Sequence, residues 1–334
     1  MKKHIALTAV LLLLATLLFG CAAGDGATST TTTATPTKTQ VAIGTIQGPT
    51  GIGMVNLMEA DAKGTAANDY TFTVGSTPQE IGTKLAQGAL DMAALPTNLA
   101  ASLYQKTSGK VKLLAVNTLG VLYILENGSG VQSIADLRGK TIYSTGEGAN
   151  PEYILKYVLE KNGLTVGKDV NIEFIAENTE LATRMASGDI KLAMVPEPQV
   201  SSITAQNADV RVALSMNTEW EAVAGENNKL MMGCVAVRAE FLEKNKAAVD
   251  AFLNEYKTSA AATAQVDATA ALCETYGIIP KAAIAKKAIP NCQITFVAGA
   301  DMKAQITAYY DVLFAANPTS IGGKLPENDF YYVG

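Results

Sequence analysis

Histidine is almost missing from this chain of 334 residues: the only one is His4. It lies in a segment that reads as removed on export, so the mature chain holds none. Without imidazole there is no Ser–His or Cys–His nucleophile pair and no histidine-ligated metal centre. The commonest extracytoplasmic hydrolase designs are thereby excluded, which points away from an enzyme. Tryptophan is equally scarce, with Trp220 alone. The charges are scattered, without a basic stripe or an arginine–aromatic cluster, which argues against a nucleic-acid partner. Beyond Leu18 no apolar run is long enough for a transmembrane helix. Cysteine is rare, at four, and no Cys-x-x-Cys spacing suggests a metal.

What is present starts with a basic head, Met1 to His4, followed by an apolar run over residues 5–18 broken only by Thr8 and Thr16. That run is too short for a permanent membrane helix and ends at small residues, so residues 1–20 read as a signal peptide. The stop Leu18-Phe19-Gly20-Cys21 resembles the bacterial lipobox, which implies cleavage before Cys21 and lipidation of its sulfur. Residues 21–38 are rich in Thr, Ala, Ser and Gly, lack any bulky apolar side chain and read as a flexible tether. Attachment to the membrane is therefore expected through the lipid alone, facing outside the cytoplasm. Without Lys2 and Lys3 the chain keeps 24 basic and 31 acidic residues, a net charge of −7.

From residue 39 short apolar runs alternate with helical patterns, as βα units do. Strands are expected at 40–46, 70–74, 90–95, 112–117, 121–126, 141–144, 171–175 and 189–195. Residues 47–53 read as a turn, and helices are expected at 54–62, 78–88, 99–105 and 178–187. A further helix opens within 146–152 and runs to Lys161. Ser76-Thr77-Pro78-Gln79-Glu80 has the form of a helix start, with a hydroxyl cap, a proline and then an acid. The stretch 187–198 echoes 87–96: helix, glycine turn, brief apolar strand, proline, helix. The repeat points to two similar α/β lobes. Cys273 and Cys292 flank a proline-containing stretch and could form a disulfide in an oxidising compartment, although Cα separation decides this. Cys234, inside an apolar run, reads as a small core residue.

Four stretches carry a family likeness: residues 88–96, Leu137-Arg138-Gly139-Lys140 with the glycine-rich helix start after it, 188–198, and the closing 323–332. They resemble the type 2 periplasmic-binding-protein fold, in the nitrate, sulfonate and pyrimidine-precursor (NMT1-like) branch of ABC-importer binding subunits. The resemblance implies two hinged lobes, each with a central mixed sheet, and a ligand cleft between them. Lobe 1 would comprise residues 39–120 plus 236–334 and lobe 2 residues 121–235, with crossovers near 119–123 and 229–237. It also implies a monomer that closes on a small molecule and delivers it to an ABC permease with its ATPase, without a cofactor.

Ligand contacts are expected in loops between strand ends and helix N-termini. These offer Gln47, Pro49, Thr50, Gly51, Ser76, Thr77, Thr97 and Asn98 from lobe 1. From lobe 2 they offer Gly146, Glu147, Gly148, Asn150, Glu197 and Trp220. Gly51, Gly53, Gly146 and Gly148 are the strongest of the set, since glycine permits close backbone approach. The loops hold Glu147, Glu197, Glu219 and Glu221 but no Lys, Arg or His. Such a lining disfavours a small anion and suits a planar, neutral or weakly cationic heterocycle of the aminopyrimidine, thiamine-precursor class. A sulfonate- or nitrate-binding subunit, or a sensing lipoprotein without transport, is the alternative.

Overall fold

The computed structural model describes residues 38–225 and 228–334. The expected signal peptide, the expected lipidation at Cys21 and the expected tether as far as residue 37 lie outside the described residues. The chain first lays down β1 (Gln40–Ile46), α1 (Pro49–Ile52), α2 (Val55–Ala62), β2 (Asp69–Gly75), α3 (Pro78–Ala86), β3 (Met92–Pro96), α4 (Thr97–Lys106) and β4 (Val111–Thr118). It then crosses into a second lobe. There it forms β5 (Leu122–Asn127), β6 (Thr141–Ser144), α5 (Asn150–Lys161), β7 (Asn171–Phe174), α6 (Asn178–Ala186), β8 (Leu192–Pro196), α7 (Gln199–Gln206), β9 (Val210–Ser215) and α8 (Met216–Ala224). The return strand β10 (Gly233–Arg238) leads to α9 (Ala239–Lys244), α10 (Lys246–Ala262), α11 (Val266–Thr275), α12 (Ala282–Ala288), β11 (Ile294–Ala298) and α13 (Gly299–Ala316).

The two sheets share one wiring. Lobe 1 has the order β11-β4-β10-β3-β1-β2 and lobe 2 the order β7-β6-β8-β5-β9. Setting aside the extra edge strand β11, each sheet reads second, first, third, crossover strand, fourth. The first three strands of each pair in parallel. The crossover strand enters antiparallel, β10 between β3 and β4, and β5 between β8 and β9. The sequence echo falls on β3 and β8. Both are buried at their first four positions and close on a proline, the unbroken apolar pattern of a strand covered on both faces. Each is preceded by a helix that ends at a left-handed glycine, Gly88 at φ 80° and Gly188 at φ 82°. A side chain at either position would be strained, and glycine is not.

Helices cover both sheets, and the apolar packing divides into three clusters. One lies between the lobe 1 sheet and α2, α10, α11 and α12, and a second between the lobe 2 sheet and α6 and α7. The third is continuous through both lobes, running from α3, α4 and α13 to α5 and α8.

Several expectations shift. Half of the turn at 47–53 is the short helix α1. The return crossover ends before Gly233, so all of β10 belongs to the lobe 1 sheet and the boundary at 235/236 moves earlier. β3 and β8 extend to their prolines because the proline positions still pair with the crossover strands, Pro96 with Gly233 and Pro196 with Leu122. Cys273 and Cys292 are free and buried, not bridged. Both act as small apolar side chains in the lobe 1 core, and burial pushes the Cys273 thiol up to about 12.

Trp220 is fully buried between Tyr157 and Tyr309, with ring centroids 4.9 and 5.5 Å away. Its Nε1–H donates to the Asn228 carbonyl at 2.8 Å. Trp220→Ala is expected to lower unfolding free energy by about 3–5 kcal/mol in denaturant titration, the range for truncating a buried aromatic. Alkylation of the denatured, unreduced chain followed by intact-mass measurement should modify Cys234, Cys273 and Cys292 alike.

Candidate functional site

The seam between the lobes is built on two equivalent residues, each following the proline that closes a central strand. Thr97 N–H donates to the Met232 carbonyl at 3.1 Å, and Glu197 N–H to the Val121 carbonyl at 3.0 Å. Both acceptors lie in the chain's passages between lobes, so each residue is fixed against a crossover. Both side chains are buried. Each accepts a carboxamide N–H from the opposite lobe. Asn150 Nδ2, in the first turn of α5, reaches Thr97 Oγ1 at 3.4 Å. Asn291 Nδ2, in the turn after α12, reaches Glu197 Oε1 at 3.1 Å.

The Thr97 side is a site of unmet acceptors. Thr97 Oγ1 donates its proton to the Met231 carbonyl at 2.5 Å, so it can only accept from Asn150. That fixes the Asn150 amide with Nδ2 toward Thr97 and leaves Oδ1 buried without a partner. Asn98 Nδ2 faces the Ser320 carbonyl at 3.4 Å, an acceptor only, and Asn98 Oδ1 is likewise buried and unpaired. An unsatisfied buried acceptor costs about 1–3 kcal/mol, so these oxygens are poised for N–H or O–H donors. The Tyr310 hydroxyl donates to the Thr97 carbonyl at 2.8 Å and holds this edge from α13. The first turns of α4 and α5, which bring Thr97, Asn98 and Asn150 here, carry no side-chain cap.

The Glu197 side is a buried carboxylate already supplied with donors. Ser201 N–H donates to Oε2 and Ser201 Oγ to Oε1, both at 3.1 Å. Burial pushes the Glu197 carboxyl above its ordinary value, while the hydrogen bonds from Ser201 and Asn291 pull it down. The Tyr123 hydroxyl donates to the Asn291 carbonyl at 3.1 Å. It is pushed up to about 12, chiefly by burial and then by the charge of Glu197.

The remaining expected residues disperse. Gln47 is exposed and ties its Nε2 to the Gly277 carbonyl at 3.2 Å. Pro49 and Thr50 are half-buried in α1, where the Thr50 carbonyl accepts from Asn117 Nδ2 at 3.1 Å. Gly51 and Gly53 are packing glycines: an added Cβ would stand 2.5 Å from the Ile46 carbonyl oxygen and 2.7 Å from the Tyr256 hydroxyl. Neither offers backbone to a ligand. Ser76 and Thr77 are exposed, and Thr77 caps α3 by accepting from Glu80 N–H at 3.3 Å. Gly146 and Gly148 adopt φ of 78° and 71°; Gly148 N–H is bound to Glu152 at 2.6 Å, and Glu147 is exposed. Trp220 has no free face and stands in the interlobe core instead of stacking on a ligand.

The seam therefore unites Thr97 and Asn150 at one edge and Asn291 and Glu197 at the other, with Asn98 beside Thr97 in the first turn of α4 and bonded within lobe 1. Sequence reasoning missed Asn291, Tyr123 and Tyr310, because each acts through a partner far along the chain. Among the described residues no group of His, Cys, Asp and Glu could hold a metal, and no helix is long and apolar enough to cross a membrane. Two surface depressions, of about 360 and 310 Å³, lie away from the seam.

A carboxyl raised above its unfolded value stabilises the fold below the unfolded value, and this is lost as pH rises through the folded one. Glu197 is raised from 4.5, so its contribution fades as pH climbs above about 4.5. The melting temperature of Glu197→Gln relative to wild type should therefore increase as pH rises above about 4.5 in a thermal scan, levelling off once the folded carboxyl has ionised.

Residues 65–278 match the family model described as ABC transporter, phosphonate, periplasmic substrate-binding protein. Among solved structures, an ABC transporter from Parabacteroides distasonis is similar at TM-score 0.74 and 20% identity, covering 88% of this chain and 99% of that one. The periplasmic aliphatic sulphonate binding protein from Escherichia coli is similar at TM-score 0.68 and 18% identity, covering 88% and 96%. The periplasmic nitrate-binding protein from Synechocystis is similar at TM-score 0.55 and 13% identity, covering 79% and 74%. No curated protein matches the chain. With well over half of its length matched, and with two lobes wired alike around a polar seam, the chain belongs to the phosphonate-type periplasmic substrate-binding family of ABC transporters, extracytoplasmic components that bind a small ligand and work with a permease.

Proposed function

We propose that this protein captures a small nitrogen heterocycle of the aminopyrimidine type in the seam between its lobes and delivers it to an ABC permease. The observation that carries the ligand class is the pair of buried, unpaired carboxamide oxygens on Asn98 and Asn150. They ask for N–H donors, while the uncapped first turns of α4 and α5 ask for an acceptor. An aminopyrimidine offers both on one edge, its exocyclic amine as donor and its ring nitrogen as acceptor. An oxyanion satisfies the helix ends and leaves both Asn oxygens unmet. Thr97, Asn98 and Asn150 are accordingly the proposed contacts. Trp220 is left out, since its ring has no free face. We further propose a monomer tethered to the membrane by lipid on Cys21, and transport as its role over sensing.

A second reading, a phosphonate, sulfonate or nitrate ligand, is favoured by the convergence of two uncapped helix N-termini, each worth about 0.3–1 kcal/mol toward an anion. A thermal-shift screen of aminopyrimidines, sulfonates, phosphonates and nitrate separates the two. A ligand at a hundred times its dissociation constant adds about 2.7 kcal/mol to stability. The expected result is a rise with aminopyrimidines alone, reduced by Asn98→Ala and Asn150→Ala. A rise confined to the anions would reject the heterocycle.

A further inference from the structure

The two equivalent cross-lobe hydrogen bonds sit in unlike surroundings, and this difference sets how the molecule opens. Behind Thr97 and Asn150 the apolar packing runs unbroken from one lobe to the other. Trp220 on α8 packs on Tyr157 of α5 and on Tyr309 of α13, and Tyr309 lies 6.1 Å from Tyr310, whose hydroxyl is bound to the Thr97 carbonyl. Parting the lobes here would bring several aromatic rings into water. At the Glu197 edge the apolar clusters belong to one lobe each. What crosses is the approach of α12 to α7, Asn291 Nδ2 to Glu197, the Tyr123 hydroxyl to the Asn291 carbonyl, and Gly48 beside Pro198, where an added Cβ would stand 3.9 Å from the ring. Water can replace the polar contacts, and hydration of a buried carboxylate is itself favourable.

We infer that the lobes part along the Glu197–Asn291 edge while the Thr97–Asn150 edge stays packed, so that Asn291 is the positioning residue that latches the closed form. This goes beyond the ligand assignment and does not depend on it. The ionisable groups facing Glu197 are the Tyr123 hydroxyl on β5 and the Cys292 thiol, each held protonated by burial. Lys287 of α12 offers its carbonyl to Asn291 Nδ2 at 3.5 Å and is itself exposed. Glu197, whose carboxyl burial raises above its ordinary value, is then the group at this edge whose charge responds to pH. Closing removes it from water, which favours its neutral form, so the latch tightens as pH falls.

Distances between paired spin labels test this without any ligand. In the full chain carrying Cys21→Ser, labels at Gln206→Cys and Lys286→Cys straddle the Glu197 edge. Labels at Glu160→Cys and Asp311→Cys straddle the other. All four positions are exposed, whereas Cys234, Cys273 and Cys292 are buried. Asn291→Ala should lower the closed fraction about tenfold, the scale of one hydrogen bond to a charged group. It should lengthen the first distance and leave the second unchanged. Asn291→Asp sets two carboxyls face to face, so it should open this edge at pH 7.5 and reclose it toward pH 5. Glu197→Gln, which keeps an acceptor for Asn291, should stay closed at both. An unchanged first distance in Asn291→Ala, equal widening at both edges, or no reclosure of Asn291→Asp at pH 5 would each overturn the latch.

Discussion

Each sheet is completed by a strand that arrives from the other lobe, and the remaining architecture follows from that exchange. β5 must slot between β8 and β9, and β10 between β3 and β4, so neither sheet closes until the chain has crossed. The crossover passages are thereby pressed against the ends of β3 and β8. Their carbonyls become the acceptors for Thr97 and Glu197. The same backbone pairing that binds the sheets thus positions the site.

The near-twofold relation gives the seam its two matched hydrogen bonds, and the sequence then makes them unequal. Thr97 can only accept, because its proton is committed to the Met231 carbonyl, and this leaves Asn150 with an unpaired oxygen. Glu197 brings a carboxylate into a buried position where three donors reach it. One edge is therefore short of donors and backed by aromatic packing. The other is well supplied with donors and rests on a charge that water would welcome.

Much of the framework was legible locally. The strand at 40–46 and that at 141–144 coincide with β1 and β6, and the helix start at Thr77 is a true cap. The echo of 87–96 in 187–198 identified the two strands that end at the seam, because a covered central strand followed by proline has the same local form in each lobe. Gly51 and Gly53 misled: a glycine that admits close approach of a side chain looks the same in sequence as one that admits a ligand. Trp220 misled too, since a lone aromatic carries no mark of which face it will bury. The cysteine spacing allowed a disulfide that the packing of the lobe 1 core does not form.

The sequence by itself determined the order of strands and helices and the two-lobed repeat. These depend on residue type or on patterns a few residues long, such as apolar period, glycine at left-handed turns and proline at strand ends. Only the tertiary structure decided that Asn150 meets Thr97, that Asn291 meets Glu197, and that Trp220 joins Tyr157 to Tyr309. These are contacts between lobes, made by segments far apart in the chain, and they exist only once both sheets have been closed by the strands they exchange.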